Sequence, residues 1–131
     1  MQIGRLAALA GVSVKTLRYY EEIGVLERPA RTPSGYRDYG PDALERIRFV
    51  RASQASGLTL GEIRGIVAFR DRGASPCAHV VSLLGERATE IDRQIDELRH
   101  ARSVIAQLVE RSRTLDPADC APSGVCHVIP R

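Results

Sequence analysis

The chain has 131 residues, enough for one small domain with a dimerisation arm, and no apolar run near the ~18 residues of a membrane-spanning helix, so no membrane partner is expected. The opening MQIGRLAALAGVSV lacks a basic start followed by an apolar core, so no secretory signal is expected and the cytoplasm is the expected compartment. The net charge of +3 is uneven: residues 1–70 hold 11 Lys/Arg against 7 Asp/Glu, a net of +4, and residues 71–131 hold 8 against 9, a net of −1, which makes the first half the candidate for a polyanion such as DNA.

Ile3 to Ala10 reads as a short helix with Ile3, Leu6 and Leu9 on one face, broken by Gly11. Ser13 is a good N-cap for a second helix, VKTLRYYEEI, which Gly24 ends. Two short helices around a tight glycine turn make a helix-turn-helix. Leu17, Tyr20 and Ile23 form its inner face, which leaves Lys15, Thr16, Arg18 and Tyr19 outward. Basic and aromatic groups near the start of a second helix suit the major groove and its flanking phosphates.

Val25 to Tyr39 contains Pro29, Pro33, Ser34 and Gly35 and is not helical. Two short extended segments around TPSG are expected to form a hairpin, or wing, carrying Arg28, Arg31, Tyr36 and Arg37. A third helix begins at Gly40-Pro41, with Leu44, Ile47 and Val50 on its apolar face and Gly57 as its stop. Arg46, Arg48 and Arg51 lie on its other faces, free to reach phosphate. Thr59 and Glu62 form a capping box for a fourth helix running to about Arg70, with Leu60, Ile63, Ile66 and Val67 inward. DRGASP is a linker, with Ser75 as the next cap and Pro76 in the first turn.

From Pro76 to about Arg113 the apolar residues recur by heptads. Leu84, Ile91, Leu98 and Ile105 hold one position; Ala88, Ile95 and Val109 hold the second, with Arg102 as its one break. This is the narrow seam of a coiled coil, which one chain cannot bury alone, so a homodimer is expected. The last segment, LDPADCAPSGVCHVIPR, has three prolines and no periodicity and reads as a loop. Three cysteines flank the helix: Cys77 at its start, Cys120 and Cys126 beyond its end. In a reducing compartment such thiols are free or bind metal. About 36 helical residues at roughly 1.5 Å each span about 54 Å, so Cys77 does not readily reach Cys120 of its own chain. If two such helices pair antiparallel, each Cys77 meets Cys120 and Cys126 of the partner subunit, and two-fold symmetry gives two equivalent sites.

The stretches IGRLAALAGVSVKTLRYYEEIGVL and RTPSGYRDYG, the TLGEI helix and the long helix flanked by cysteines together resemble the MerR family of transcriptional regulators, over nearly the whole chain. The resemblance implies a mainly α fold, an N-terminal winged helix-turn-helix followed by a long dimerisation helix in an antiparallel coiled coil. Its parts would be a winged-helix DNA-binding domain at 1–70, a linker at 71–76, the dimerisation helix at 77–114 and a metal-binding loop at 115–131. It implies a transcriptional regulator rather than an enzyme. Such a protein bends and untwists double-stranded promoter DNA whose recognition elements are set too far apart, so that RNA polymerase can use it. Lys15, Thr16, Arg18, Tyr19, Arg31, Tyr36 and Arg37 would meet that DNA.

Family members that sense divalent metals resemble this chain in having a cysteine at the start of the dimer helix, here Cys77. Members that sense copper(I) typically have serine there and use two loop cysteines. Where many members have a cysteine soon after the helix, Ser112 and its neighbours stand here, and the Cys120–Cys126 spacing is short. The expected ligands are Cys77, Cys120 and Cys126, with His127 as the natural fourth and His79 as a weaker candidate; His100, in mid-helix, is given no role. Three thiolates suit a soft ion such as Hg(II), Cd(II) or Pb(II), whereas Zn(II) prefers four ligands. Two alternatives stay open: a copper(I)-responsive regulator using Cys120 and Cys126 only, and a redox sensor using the same thiols without metal.

Overall fold

A computed structural model describes residues 1–130. Among these, the chain is mainly helical: α1 (Ile3–Ala10), α2 (Val14–Ile23), α3 (Pro41–Ala55), α4 (Leu60–Asp71), α5 (Cys77–Arg113) and a single 3-10 turn (Pro117–Asp119). It divides into two units, Met1–Leu83 and Leu84–Arg131.

Local chemistry sets the ends of the short helices. The hydroxyl of Ser13 caps α2 by accepting from Thr16 N at 3.0 Å, and Gly11 and Gly24 close α1 and α2 at φ of +69° and +88°, where an L side chain would be strained. Thr59 and Glu62 cap α4 reciprocally, at 3.0 and 3.1 Å. Ahead of α5, Pro76 and not Ser75 provides the capping carbonyl, accepting from Val80 N at 2.9 Å; Pro76 thus stands just before the first turn rather than in it.

The core of the first unit gathers one face of each short helix. Leu6, Leu17, Val25, Ile47, Val50, Ile63 and Ile66 are fully buried, each such side chain contributing about 1.5–3 kcal/mol relative to exposure. Val80 and Leu83 pack against this core from the opening turns of α5, which is why the unit runs on to Leu83. Tyr20 ties α2 to α3, its hydroxyl donating to Gln54 Oε1 at 2.9 Å. Arg46 is not free on the surface: it pairs with Asp71 at 2.7 Å and donates to the Val25 carbonyl, so it joins α3 to α4. Arg48 pairs with Glu45 on its own helix, while Arg51 is exposed.

The expected hairpin is smaller than two strands. It consists of one antiparallel bridge, Arg31 to Arg37, with Thr32 N donating to the Tyr36 carbonyl at 2.7 Å and Gly35 N to the Thr32 carbonyl at 2.9 Å. Pro29 and Pro33 have no N–H to extend a ladder.

α5 begins in the first unit and continues through the second. None of its 37 residues is buried, and Leu98 and Ile105 of the seam are 70% and 61% exposed. Arg93 pairs with Glu90 and Glu97 along its polar face, the support such a helix draws from neighbours three and four residues apart. No helix among the described residues is long and apolar enough to cross a membrane.

Candidate nucleic-acid and metal sites

The wing and α2 share a concavity of about 420 Å³, lined among others by Arg18, Arg28, Arg31, Tyr36 and Arg37. Four of the seven expected DNA-contacting residues are thereby brought together. The other three stand differently: Lys15 is exposed on α2, Tyr19 is half exposed, and Thr16 also serves the cap, its hydroxyl 2.9 Å from that of Ser13. The wing arginines hold their own loop. Arg31 donates to the Gly35 carbonyl at 2.8 Å, and Arg37 donates to the Pro29 carbonyl. Each guanidinium has five N–H donors, so most of its capacity remains for a phosphate or a base.

Glu21, to which the sequence reading gave no role, fastens the wing to α2. One carboxylate oxygen accepts from the Tyr39 hydroxyl at 2.7 Å; the other pairs with Arg28 Nε at 3.0 Å. The carboxylate side chain is only 5% exposed, so the pair is sheltered from water on its acidic side. Burial, then the bond to Glu21, then its charge push the Tyr39 phenol up to about 12. The signal was present: Glu21 lies four residues after Leu17, on the inner edge of the same helical face.

The three thiols are free, Cys77 and Cys126 exposed and Cys120 half-buried. Cys120, Cys126 and His127 line one pocket of about 360 Å³ together with Arg111. Both ring nitrogens of His127 are buried and have no hydrogen-bond partner among the described residues. A neutral imidazole in that condition has an N–H and a lone pair without partners, and a metal ion could take the lone pair. Within one chain, no cluster of three or more His, Cys, Asp or Glu among the described residues could hold an ion. The loop therefore supplies soft donors in one place but not a closed coordination sphere. Cys77 begins α5, and His79, two residues on, stacks on Phe69 with ring centroids 4.8 Å apart, while Arg72 lies over the Phe69 ring at 4.5 Å. The second-choice histidine is thus engaged in packing α5 against α4.

Comparison with known proteins gives a consistent outcome. The profile described as MerR HTH family regulatory protein matches residues 1–70, and that described as MerR, DNA binding matches residues 44–108. The chain is 36% identical over 120 residues to the HTH-type transcriptional regulator HmrR of Rhizobium leguminosarum bv. viciae, covering 92% of each. It is 34% identical to the mercuric resistance operon regulatory protein of Bacillus cereus, over 84% of this chain and 83% of that one. Among solved structures, the transcription regulator PbrR691 from Ralstonia metallidurans CH34, in complex with lead(II), is similar with a TM-score of 0.74 and 32% identity, over 92% of this chain and 94% of that one.

Proposed function

Because this chain belongs to the MerR family of helix-turn-helix regulatory proteins, we propose that it is a metal-responsive transcriptional regulator that acts as a homodimer on promoter DNA. The observation that carries the metal reading is the shared pocket of Cys120, Cys126 and His127, incomplete within one chain. The relatives named for mercuric resistance and found with lead(II) support the same class of effector.

In this reading residues 1–70 bind DNA, 71–76 link, 77–114 dimerise as an antiparallel coiled coil and 115–131 hold the metal. Lys15, Thr16, Arg18 and Tyr19 of α2, with Arg31, Tyr36 and Arg37 of the wing, meet the duplex. RNA polymerase then uses the distorted promoter. Cys120 and Cys126 with Cys77 of the partner subunit supply three thiolates, and His127 the fourth donor for an ion that needs one. Soft or divalent ions, Hg(II), Cd(II), Pb(II) or Zn(II), fit that set. Bound metal supplies a fixed crosslink between loop and partner helix. It acts on output by favouring one dimer geometry over another, since a ligand shifts an equilibrium only by its differential affinity for the two states. Metal is therefore expected to change promoter output far more than DNA affinity.

The test mixes Cys77→Ser subunits with Cys120→Ser/Cys126→Ser subunits. In the heterodimer one site loses all three thiols and the other regains all three, so about one ion per heterodimer is expected, with little in either mutant homodimer. If the Cys77→Ser homodimer binds and responds as wild type does, the cross-subunit site is wrong. The copper(I) reading, with Cys120 and Cys126 alone, then takes its place.

A further inference from the structure

The last turn of α5 determines more than the end of the helix. Two N–H groups of Arg111, at Nε and Nη2, donate to one acceptor, the backbone carbonyl of His127, at 3.4 and 3.2 Å across 16 residues. Arg111 also lines the pocket of Cys120, Cys126 and His127. The turn that presents it is closed by Thr114, whose N–H and hydroxyl donate to the Arg111 carbonyl at 3.2 and 2.9 Å. Where the loop leaves the helix, Leu115 N donates to the Ser112 carbonyl at 3.4 Å, and beyond it the other hydrogen bonds stay within the loop's own short turns. Ala118 N donates to the Asp116 carboxylate, Cys120 N to the Pro117 carbonyl and Gly124 N to the Ala121 carbonyl, at 2.9, 3.4 and 3.0 Å. Among the described residues, the Arg111 fork is thus the hydrogen-bonded tie from the segment beyond Cys120 back to α5.

The geometry points to Arg111 as the positioning residue of the thiol pocket, for a thiophilic cation bound by Cys120 and Cys126. The clamp takes only a backbone carbonyl. The Cys126 thiol and the His127 imidazole beside it keep their own donor atoms free. A planar fork on one carbonyl fixes direction as well as distance, which a lysine ammonium does not. The guanidinium also places a permanent positive charge at the pocket, where two thiolates bring negative charge with them. Groups of this kind around a metal's ligands typically set 10–100-fold in affinity. The inference rests on the metal reading above, and its test separates the two.

The experiment uses the full-length dimer, wild type against Arg111→Ala and Arg111→Lys, with sedimentation and circular dichroism to establish that each variant is dimeric and helical. Without metal, maleimide labelling of the half-buried Cys120 reports how the loop is held. With Cd(II), competition against a chelator reports affinity. Arg111→Ala is expected to label several-fold faster at Cys120 and to lose about 10–100-fold in Cd(II) affinity. Arg111→Lys is expected to label as fast as the alanine variant yet recover part of the affinity, because it keeps charge and loses the fork. Wild-type labelling and affinity in Arg111→Ala overturn the assignment. If that variant fails to fold, wild-type labelling in Arg111→Lys overturns it instead. Fast labelling in Arg111→Ala together with no Cd(II) binding by wild type upholds the anchoring role and overturns the metal reading.

Discussion

The hydroxyl of Tyr39 donates to Glu21 at 2.7 Å, joining the end of the wing to the last turn of α2 across 18 residues. A carboxylate that is 5% exposed and bonded on both oxygens is costly to leave half-satisfied. Arg28, half exposed, adds little on its own. Glu21→Ala should therefore lower the stability of the first unit by about 1–3 kcal/mol, mostly through the stranded Tyr39 hydroxyl. It should also weaken DNA binding, because the wing loses its tether. Denaturant melts and operator titrations check both effects. A variant that melts with wild type would show that the wing is held by its own turn.

The same bond makes an alkaline signature. Burial, aided by Glu21, raises the Tyr39 phenol from 10.0 to about 12. A group whose folded value is raised gives its stabilisation in full below the unfolded value and loses it as pH climbs through the folded one. Stability from Tyr39 should hold up to about pH 10 and decline towards about pH 12. In a near-ultraviolet titration, Tyr39 should ionise late, and Tyr39→Phe should remove that late step. If the late step persists in the phenylalanine variant, another tyrosine is the shielded one.

Leu98 lies at the centre of the seam and is 70% exposed in the chain. Leu98→Asp places a charge where two helices would meet, and burying an unpaired carboxylate costs far more than the seam gains at that layer. Sedimentation should find monomers, with loss of operator binding. A dimeric Leu98→Asp protein would require a different interface.

Arg18 is exposed on α2 and lines the concavity that the wing arginines share. If it reads a base, Arg18→Ala should cost roughly 1–3 kcal/mol and relax preference at one operator position. If it meets a phosphate, all sequences should weaken alike and the salt dependence should become shallower by about one unit of slope. Unchanged affinity at moderate salt would remove Arg18 from the interface.

Much of this architecture was legible because its causes are local. Ser13, Gly11, Gly24 and the Thr59–Glu62 box act within one turn of the backbone they cap, so spacing alone reveals them. The heptads of α5 were legible for the same reason, although what covers them lies outside the chain. The tie of Arg46 to Asp71 is not legible in the sequence, because its partner is 25 residues away and periodicity carries no record of it. The composition of the wing predicts two extended segments, but its prolines leave a single bridge. Around the thiols, the donors could be read from residue type. Arg111 could not, since its acceptor is a backbone carbonyl, which any residue in place of His127 would also offer.

The unburied length of α5 has a consequence for inheritance. Paired along Leu84, Ile91, Leu98 and Ile105, a chain defective in DNA binding or in its thiols still finds a partner, because none of those functions resides in the seam. Mixed in equal amounts with intact chains, random pairing leaves only about a quarter of dimers wholly intact. A lesion at Arg18 should therefore interfere with a normal copy, whereas a mixed dimer with one Cys77 lesion keeps one complete thiol site and should be only partly impaired. A lesion at Leu98, which removes the chain from the pool of partners, should be recessive.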